Sequence, residues 1–215
     1  MAVHDVRLSK TLSWLLRHQA AKEGLDIQTD GFVPCDQVVG FLSKRHIPGM
    51  TRQRLFDEVR ACPKQRLELS PCGLYVRASH GHSIRALEDE KFLVEIADAS
   101  TVVNPTYGIS SQQWQVVRTA GLRCGTRNHL HIATCNSNSG YTIGKPGGKA
   151  DVLVHLDLGR AMADGMKFFL ASNGVVLTRG LHGVVLPTYF ARVVIHNGDG
   201  STAELFAPTH LDRQA

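Results

Sequence analysis

The hydrophobic pattern of this chain changes once along its length, and that change constrains the fold more than any other feature. Up to about residue 85, apolar residues recur at the spacing of helices. Beyond about residue 98, runs such as "DVLVHLDL", "GVVLTRG" and "ARVVIH" are short and bounded by Gly, Asn or Pro, which is typical of strands. We therefore predict an α+β chain with an N-terminal lobe over 1–88, a linker over about 89–97 and a C-terminal lobe over 98–215.

The N-terminal lobe carries signals for three helices and a hairpin. One apolar stripe marks the first helix, at Leu8, Leu12, Leu15 and Leu16. Pro34 marks the start of the second helix and Thr51 caps the third. The segment "QRLELSPCGLYVRAS" alternates apolar and polar residues around a turn, so it predicts a hairpin. Three helices followed by a hairpin suggest a winged-helix-like module, a common shape for nucleic-acid binding.

The first helix ends in two groups suited to anions, Arg17 and His18. At about 100° per residue, Arg17 lies roughly 180° from Leu8 and points away from the core. Lys10 shares that face, and His18 lies at its margin. This helix alone allows either a solvated basic face or an anion site.

Composition describes an ordinary globular protein with a basic excess. The 215 residues are 43% hydrophobic and 20% charged, with a formal charge of +5 and a pI near 9.1. This balance suits an anionic partner such as nucleic acid.

The cysteine count and the apolar runs bear on the compartment. Five cysteines with no C-x-x-C spacing argue against a disulfide framework and favour a reducing compartment. No run approaches the ~18 apolar residues that span a bilayer, and no apolar signal core stands at the N-terminus. We expect a soluble intracellular protein, in the cytoplasm or nucleus, without a membrane partner.

The segment "YVRASHGHS" places Arg77 at a strand end, with Gly81, His82 and Ser83 in the loop that follows. Such a loop can aim Arg and His at one anion, and the planar fork of Arg matches phosphate. The alternative is a turn with incidental histidines.

The segment "TRNHLHIA" predicts a wall of a site. In an extended strand Arg127, His129 and His131 project from one face, opposite an apolar face. The two histidines could bind zinc with Cys124 or Cys135. We favour an anionic ligand and no metal, because Arg127 would repel a divalent cation.

Two further segments organise the C-terminal lobe. "SSQQWQVVRTAGL" predicts a helix with Trp114 packed inside, and "FFLASNGVVLTRG" predicts a tight hairpin about Ser172, Asn173 and Gly174. The Gly-rich "GKPGGK" lacks the spacing of a P-loop or a dinucleotide fingerprint.

Taken in order, "LSKTLSWLLRH", "DGFVP", "YVRASHGHS", "GLRCGTRNHLHIA", "ADGMKFFLASNGVVLTRG" and "GVVLPTYF" resemble the RNA 2′-phosphotransferase family, the NAD-dependent enzymes known as Tpt1 or KptA. The resemblance runs from about Leu8 to Phe190. It implies a winged-helix RNA lobe followed by an ADP-ribosyltransferase-like NAD lobe. It also implies removal of the 2′-phosphate left at a tRNA splice junction, so the expected partner is an RNA with an internal 2′-phosphate, and we expect a monomer.

The resemblance also implies a mechanism and assigns residues to it. The RNA phosphate attacks the nicotinamide-bearing ribose carbon of NAD, nicotinamide leaves, and the ribose 2″-hydroxyl displaces the RNA as ADP-ribose 1″,2″-cyclic phosphate forms. The catalytic set falls on Arg17, His18, Arg77 and Arg127. The first three would hold the 2′-phosphate, and Arg127 would stabilise developing charge.

Binding residues follow from the same resemblance and from the motifs above. Contacts to NAD are expected from Gly108, His129, His131, Ser172, Asn173 and Gly174. Contacts to RNA are expected from Lys10, His82 and Ser83.

One departure from the family concerns its usual His-Gly-Thr at the NAD site. Without a gap it aligns with Tyr107, Gly108 and Ile109, and with a three-residue gap it aligns with Asn104, Pro105 and Thr106. Two other activities therefore stay open: ADP-ribosylation of terminal nucleic-acid phosphates, or RNA binding by a non-catalytic winged-helix protein.

Overall fold

The computed structural model describes residues 4–45, 47–134, 151–197 and 200–206, and it divides the chain into two compact units. The N-terminal unit is Met1–Leu93 with Thr126–Asn128, and the C-terminal unit is Val94–Gly125 with His129–Ala215. Helices and several small sheets occur together, so the fold is mixed α/β. The "GKPGGK" segment and Cys135 lie outside the described residues.

The N-terminal unit combines three helices with a small antiparallel sheet. Its elements are α1 (Val6–Trp14), β1 (Val33–Pro34), α2 (Cys35–Lys44), α3 (Arg52–Ala61), β2 (Leu67–Leu69) and β3 (Tyr75–Ala78). The sheet order is β1-β3-β2, with β3 between its two antiparallel neighbours. The predicted helices and the β2–β3 hairpin are confirmed, and β1 adds a strand that the sequence did not indicate.

The leucine stripe of the first helix forms the centre of the N-terminal core, as the sequence predicts. Leu12, Leu15 and Leu16 are fully buried, and Leu8 is nearly so. Burying each such side chain contributes about 1.5–3 kcal/mol relative to leaving it in water. The stripe therefore anchors α1 firmly enough to place the polar residues at its end.

Caps define where these helices begin. The Asp5 carboxylate accepts hydrogen bonds from the backbone N–H groups of Arg7 and Leu8, both at 3.0 Å. Thr51 Oγ1 accepts from the Arg54 N–H at 3.1 Å. Helix α2 begins directly after Pro34, so the predicted start signals are confirmed.

The C-terminal unit is rich in short strands. Its elements are β4 (Val94–Glu95), β5 (Thr106–Ile109), α4 (Ser111–Ala120), β6 (Leu122–Arg123), β7 (Leu130–Ile132), β8 (Val152–Leu156), α5 (Leu158–Ala163), β9 (Phe168–Leu170), β10 (Val176–Thr178), β11 (Val184–Val185), β12 (Phe190–His196) and β13 (Thr202–Phe206). The sheets have the orders β4-β9-β10-β7 and β13-β12-β8-β5, with a small β11-β6 pair. Every pairing is antiparallel.

Alternation along β8 shows how the C-terminal core is built. Val152, Val154 and Leu156 are buried, and the residues between them are half-buried on the opposite face. Helix α4 begins with a capping box at Ser110 and buries Trp114, as predicted.

The predicted linker is partly structured. Asp89–Lys91 form a single 3₁₀ turn and Val94–Glu95 pair with β9. The lobe boundaries 1–88 and 98–215 stay predictions. Among the described residues, no helix is both long enough and apolar enough to cross a membrane.

Candidate anion-binding site

The end of the first helix is a π-helical turn rather than a continuation of α1. It spans Leu15–Gln19, and the Ala20 N–H donates to the Leu15 carbonyl at 2.8 Å, five residues back. Such turns are rare and are found frequently at functional sites. The turn contains both Arg17 and His18.

Of the two alternatives that the sequence leaves open for Arg17, the structure does not support a fully solvated side chain. Its Nε and Nη2 atoms are buried, and neither has a hydrogen-bond acceptor among the residues that the structure describes. Burial, together with the positive charges of Arg127 and Arg66, lowers the pKa of Arg17 to about 10. Each buried donor without a partner costs about 1–3 kcal/mol. An anion placed against this guanidinium would remove that cost.

His18 lies beside Arg17 and is oriented by Ser83. His18 Nδ1 lies 3.0 Å from Ser83 Oγ, and the Ser83 N–H donates to the Arg17 carbonyl at 3.0 Å. Burial and the guanidinium groups of Arg17 and Arg127 hold the pKa of His18 below its ordinary value. The lowered pKa favours the neutral imidazole in the free protein, and a bound anion would favour the charged form.

Arg127 adds a second guanidinium beside Arg17, and it belongs to the N-terminal unit. The neighbouring residue Asn128 is buried, and its backbone N–H donates to the His82 carbonyl at 2.8 Å. Its side-chain amide donates to the Ile84 carbonyl, also at 2.8 Å. Asn128 thus ties the Arg127 segment to the loop after β3. Sequence reasoning missed this residue, because no local signal marks a contact that spans more than forty residues.

The prediction that Arg127, His129 and His131 share a strand face is wrong. Strand β7 begins only at Leu130, and Arg127 lies in the bend before it with its side chain exposed. His129 and His131 belong to the C-terminal unit and are buried there. His131 lies opposite Leu177 of β10.

Arg77 is held by an ion pair. Its Nε and Nη2 donate to the two Glu68 carboxylate oxygens at 3.2 and 3.0 Å, and its Nη1 donates to the Asp30 carbonyl at 3.2 Å. The guanidinium also stacks over the Phe32 ring at 4.3 Å. Three of its five N–H groups are engaged, so two remain for an anion. His82 is buried beside this pair and packs edge-on against Phe92.

The structure therefore groups some predicted residues and separates others. Arg17, His18, Ser83 and Arg127 form one cluster, a candidate anion-binding site that we call the Arg17 site. Arg77 is neutralised by Glu68, and Lys10 lies on the exposed face of α1.

The C-terminal unit contains the residues predicted to contact NAD. Ser172, Asn173 and Gly174 form the turn between β9 and β10, which confirms the predicted hairpin, and Gly174 takes a φ of 81°. Gly108 lies in β5 opposite Leu153. No group of three or more His, Cys, Asp or Glu side chains in the described ranges is placed to hold a metal ion.

The two alignments of the His-Gly-Thr site differ in the groups that they offer. Ile109 is buried in the C-terminal core. Asn104 Oδ1 and Thr106 Oγ1 instead lie 2.8 and 3.1 Å from His155 Nδ1, forming a polar cluster. Such neutral hydrogen-bonding groups have the chemistry that ribose hydroxyls require.

Two buried guanidinium donors without an acceptor among the described residues make this cluster a candidate site for an anion, and comparison with known proteins gives the family of the chain. The profile of the family described as "RNA 2'-phosphotransferase, Tpt1 / KptA family" matches residues 3–180. The chain belongs to this family of RNA-processing transferases.

Individual relatives agree with the family assignment. The chain is 34% identical to tRNA 2'-phosphotransferase 1 of Danio rerio over 193 residues, covering 87% of this chain and 84% of the relative. It is 35% identical to tRNA 2'-phosphotransferase 1 of Homo sapiens over 224 residues, covering 98% of this chain and 87% of the relative. A Schizosaccharomyces pombe relative is 33% identical over 196 residues, which are 90% of this chain, and the chain spans only about half (52%) of that relative.

Proposed function

We propose that this chain removes an internal 2′-phosphate from RNA in an NAD-dependent reaction that passes through an ADP-ribosylated 2′-phosphate. The observation that carries the proposal is the Arg17 guanidinium, buried with two donors that find no acceptor among the described residues. The family assignment supplies the reaction class, and the names of the zebrafish and human relatives point to tRNA as the substrate.

The Arg17 site suits a phosphate monoester in charge and in geometry. A 2′-phosphate carries about −1.5 to −2 charges near pH 7, and its oxygens would accept hydrogen bonds from Arg17 Nε and Nη2. Charge-assisted bonds of this kind are about twice as strong as neutral ones. Arg127 adds a second positive charge, and His18 would donate once the phosphate favours its protonated form.

The family implies NAD as the second substrate, and several groups of the C-terminal unit fit a dinucleotide. We assign its binding to Gly108, to the polar cluster of Asn104 and Thr106, and to the turn at Ser172–Gly174, with His129 and His131 on β7 or beside it. Bound NAD supplies the ADP-ribosyl group that takes up the phosphate. The winged-helix and ADP-ribosyltransferase-like assignments of the two units belong to this proposal.

Within the reaction, the residues of this chain position the phosphate and stabilise charge. Arg17 and His18 hold the 2′-phosphate with one oxygen directed at the acceptor carbon. Arg127 stabilises the negative charge that builds on the phosphate when the RNA 2′-oxygen departs. The products are nicotinamide, ADP-ribose 1″,2″-cyclic phosphate and RNA with a 2′-hydroxyl, so one phosphoryl group leaves the RNA for each NAD consumed.

A transfer assay tests the proposal. RNA labelled with ³²P in its internal 2′-phosphate is incubated with the protein, with and without NAD, and the products are separated. We expect label in ADP-ribose cyclic phosphate only when NAD is present. Label that remains on the RNA as a stable ADP-ribose adduct would favour an ADP-ribosyltransferase that stops after the first step. Label that never leaves unmodified RNA would refute catalysis altogether.

A further inference from the structure

The solvent-exposed side of α1 carries an aromatic ring among cations. Arg7, Lys10 and Trp14 are all exposed, and their spacing of three and four residues places them within about 60° of one another around the helix. We call these three residues the α1 stripe. Trp14 is the last residue of α1, so the stripe ends where the π turn brings Arg17 into the anion site.

Trp14 exposes 42% of its surface, although the opposite side of the same helix is fully buried. The chain has two tryptophans, and Trp114 of the C-terminal unit is only 9% exposed, in a core. Trp14 therefore leaves a large part of its surface in contact with solvent. Among the described residues no carboxylate lies within ion-pair distance of Arg7 or Lys10, and both side chains are exposed.

An exposed aromatic ring flanked by cations has the chemistry that binds single-stranded nucleic acid. Bases stack on the ring irrespective of sequence, and the cations contact the phosphate backbone. At 1.5 Å per residue, the helix places Trp14 about 5 Å from Arg17 along its axis and Arg7 about 15 Å away. The α1 stripe is therefore long enough for a few nucleotides leading to the Arg17 site.

We propose that the α1 stripe binds the RNA strand on one side of the 2′-phosphate, with Trp14 stacked on the adjacent nucleobase and with Lys10 and Arg7 on the backbone phosphates. This inference rests on the proposed function, which identifies the ligand of the Arg17 site as an RNA 2′-phosphate. Trp14 is a positioning residue, because it would hold the strand in register without contacting the reacting atoms.

Binding measurements test the stripe directly. A fluorescein-labelled RNA with one internal 2′-phosphate is titrated with the full chain in the absence of NAD. Stacking on an aromatic ring stabilises each base enough that Trp14→Ala should weaken binding by about 5- to 150-fold. Trp14→Phe should retain most of the affinity. Lys44→Ala, which removes an exposed cation from α2 in the same unit, should change the affinity by less than about twofold.

The salt dependence of RNA binding distinguishes stacking on the Trp14 ring from charge contacts of Lys10 and Arg7. The logarithm of the binding constant falls as the logarithm of the salt concentration rises. Each lost phosphate contact on a single strand makes that slope less steep by about 0.7. Lys10→Ala should therefore reduce the slope, whereas Trp14→Ala should leave it unchanged. Two further RNAs each lack one base, either at the nucleotide on the 5′ side of the 2′-phosphate or at the nucleotide on its 3′ side. With only one of these two RNAs, Trp14→Ala should no longer weaken binding relative to wild type.

Tryptophan emission gives a second reading that does not depend on how well Trp14→Ala folds. In wild-type protein acrylamide quenches the exposed Trp14, and bound RNA should protect it. The role of the α1 stripe is refuted by the following combination. Wild-type protein binds RNA with a 2′-phosphate more tightly than RNA with a 2′-hydroxyl, but Trp14→Ala binds with wild-type affinity and bound RNA does not reduce the quenching of Trp14. If wild-type protein binds the two RNAs equally, the proposed function itself is refuted, and the α1 stripe loses the ligand on which it rests.

Discussion

Replacing Arg17 with methionine is expected to stabilise the free protein while removing its affinity for 2′-phosphorylated RNA. The guanidinium is buried with two donors that have no acceptor among the described residues, and Arg127 and Arg66 repel it. Methionine keeps an apolar stem of similar length without the charge. At this position, the arginine that would bind the phosphate therefore lowers the stability of the free protein.

The magnitude follows from two independent estimates. Two unsatisfied buried donors cost about 2–6 kcal/mol together. The lowering of the Arg17 pKa to about 10 corresponds to about 3 kcal/mol of preference against the charged form. The substitution also removes the packing contacts of the guanidinium, which offsets part of this gain in stability. We therefore expect the free energy of unfolding to rise by about 1–3 kcal/mol. For a chain of this size, the melting temperature should rise by roughly 2–10 °C.

The pH dependence has a definite sign. Because the folded-state pKa of Arg17 lies below its unfolded value, the charge destabilises the fold at every pH below about 10. That penalty is relieved only as the pH rises through about 10. The stability difference between wild type and Arg17→Met should therefore be constant between about pH 6 and pH 9 and should shrink above that range.

Urea unfolding of the two proteins measures the effect, with Arg60→Met as a matched control. Arg60 is an exposed arginine on α3 of the same unit, and its replacement should change stability by less than about 0.5 kcal/mol. If Arg17→Met is instead destabilised by more than 1 kcal/mol while Arg60→Met is neutral, the Arg17 guanidinium is satisfied in the free protein and the reasoning fails.

Three further perturbations probe His18, Arg77 and Arg127. Because burial and two guanidinium groups lower the pKa of His18, 2′-phosphorylated RNA should bind more tightly as the pH falls from about 8 to 6.5, and His18→Gln should flatten that dependence in a binding titration. Glu68→Gln removes the carboxylate that neutralises Arg77, so the affinity for that RNA should rise a few-fold at low salt, and a fall would show that Glu68 orients Arg77. Arg127→Ala should still release nicotinamide but slow departure of the RNA by about 10²–10³-fold, so an RNA–ADP-ribose adduct should accumulate in single-turnover gels, and its absence at all times would contradict a second-step role.

Much of the N-terminal unit could be predicted because its signals are local. The leucine stripe, the Thr51 cap and the turn of the hairpin each depend on residues within one or two turns of chain, and the structure confirms them. The pairing of Glu68 with Arg77 could also have been found, since the β2–β3 hairpin places the two residues directly opposite each other.

The burial of the Arg17 guanidinium and the position of Arg127 could not be predicted, for two different reasons. The helical wheel assumes 3.6 residues per turn, and no residue pattern marks where α1 widens into a π turn at Leu15. The expectation that Arg127 shares a face with His129 and His131 assumes that Arg127 lies in a strand. Arg127 instead lies in the bend before β7, where Asn128 forms hydrogen bonds to the His82 and Ile84 carbonyls, which are distant in sequence. Both points concern geometry, and the roles that the resemblance assigns to Arg17 and Arg127 stay predictions.

The central claim is that the buried guanidinium of Arg17 recognises the 2′-phosphate, and one comparison tests it most directly. Affinities of wild type and Arg17→Met are measured for one RNA with an internal 2′-phosphate and for the same RNA with a 2′-hydroxyl. Two charge-assisted hydrogen bonds of about 1.5–3 kcal/mol each predict a preference of about 10²–10⁴-fold in wild type. That preference should fall close to one in Arg17→Met. An unchanged preference in the variant would show that the 2′-phosphate is recognised elsewhere.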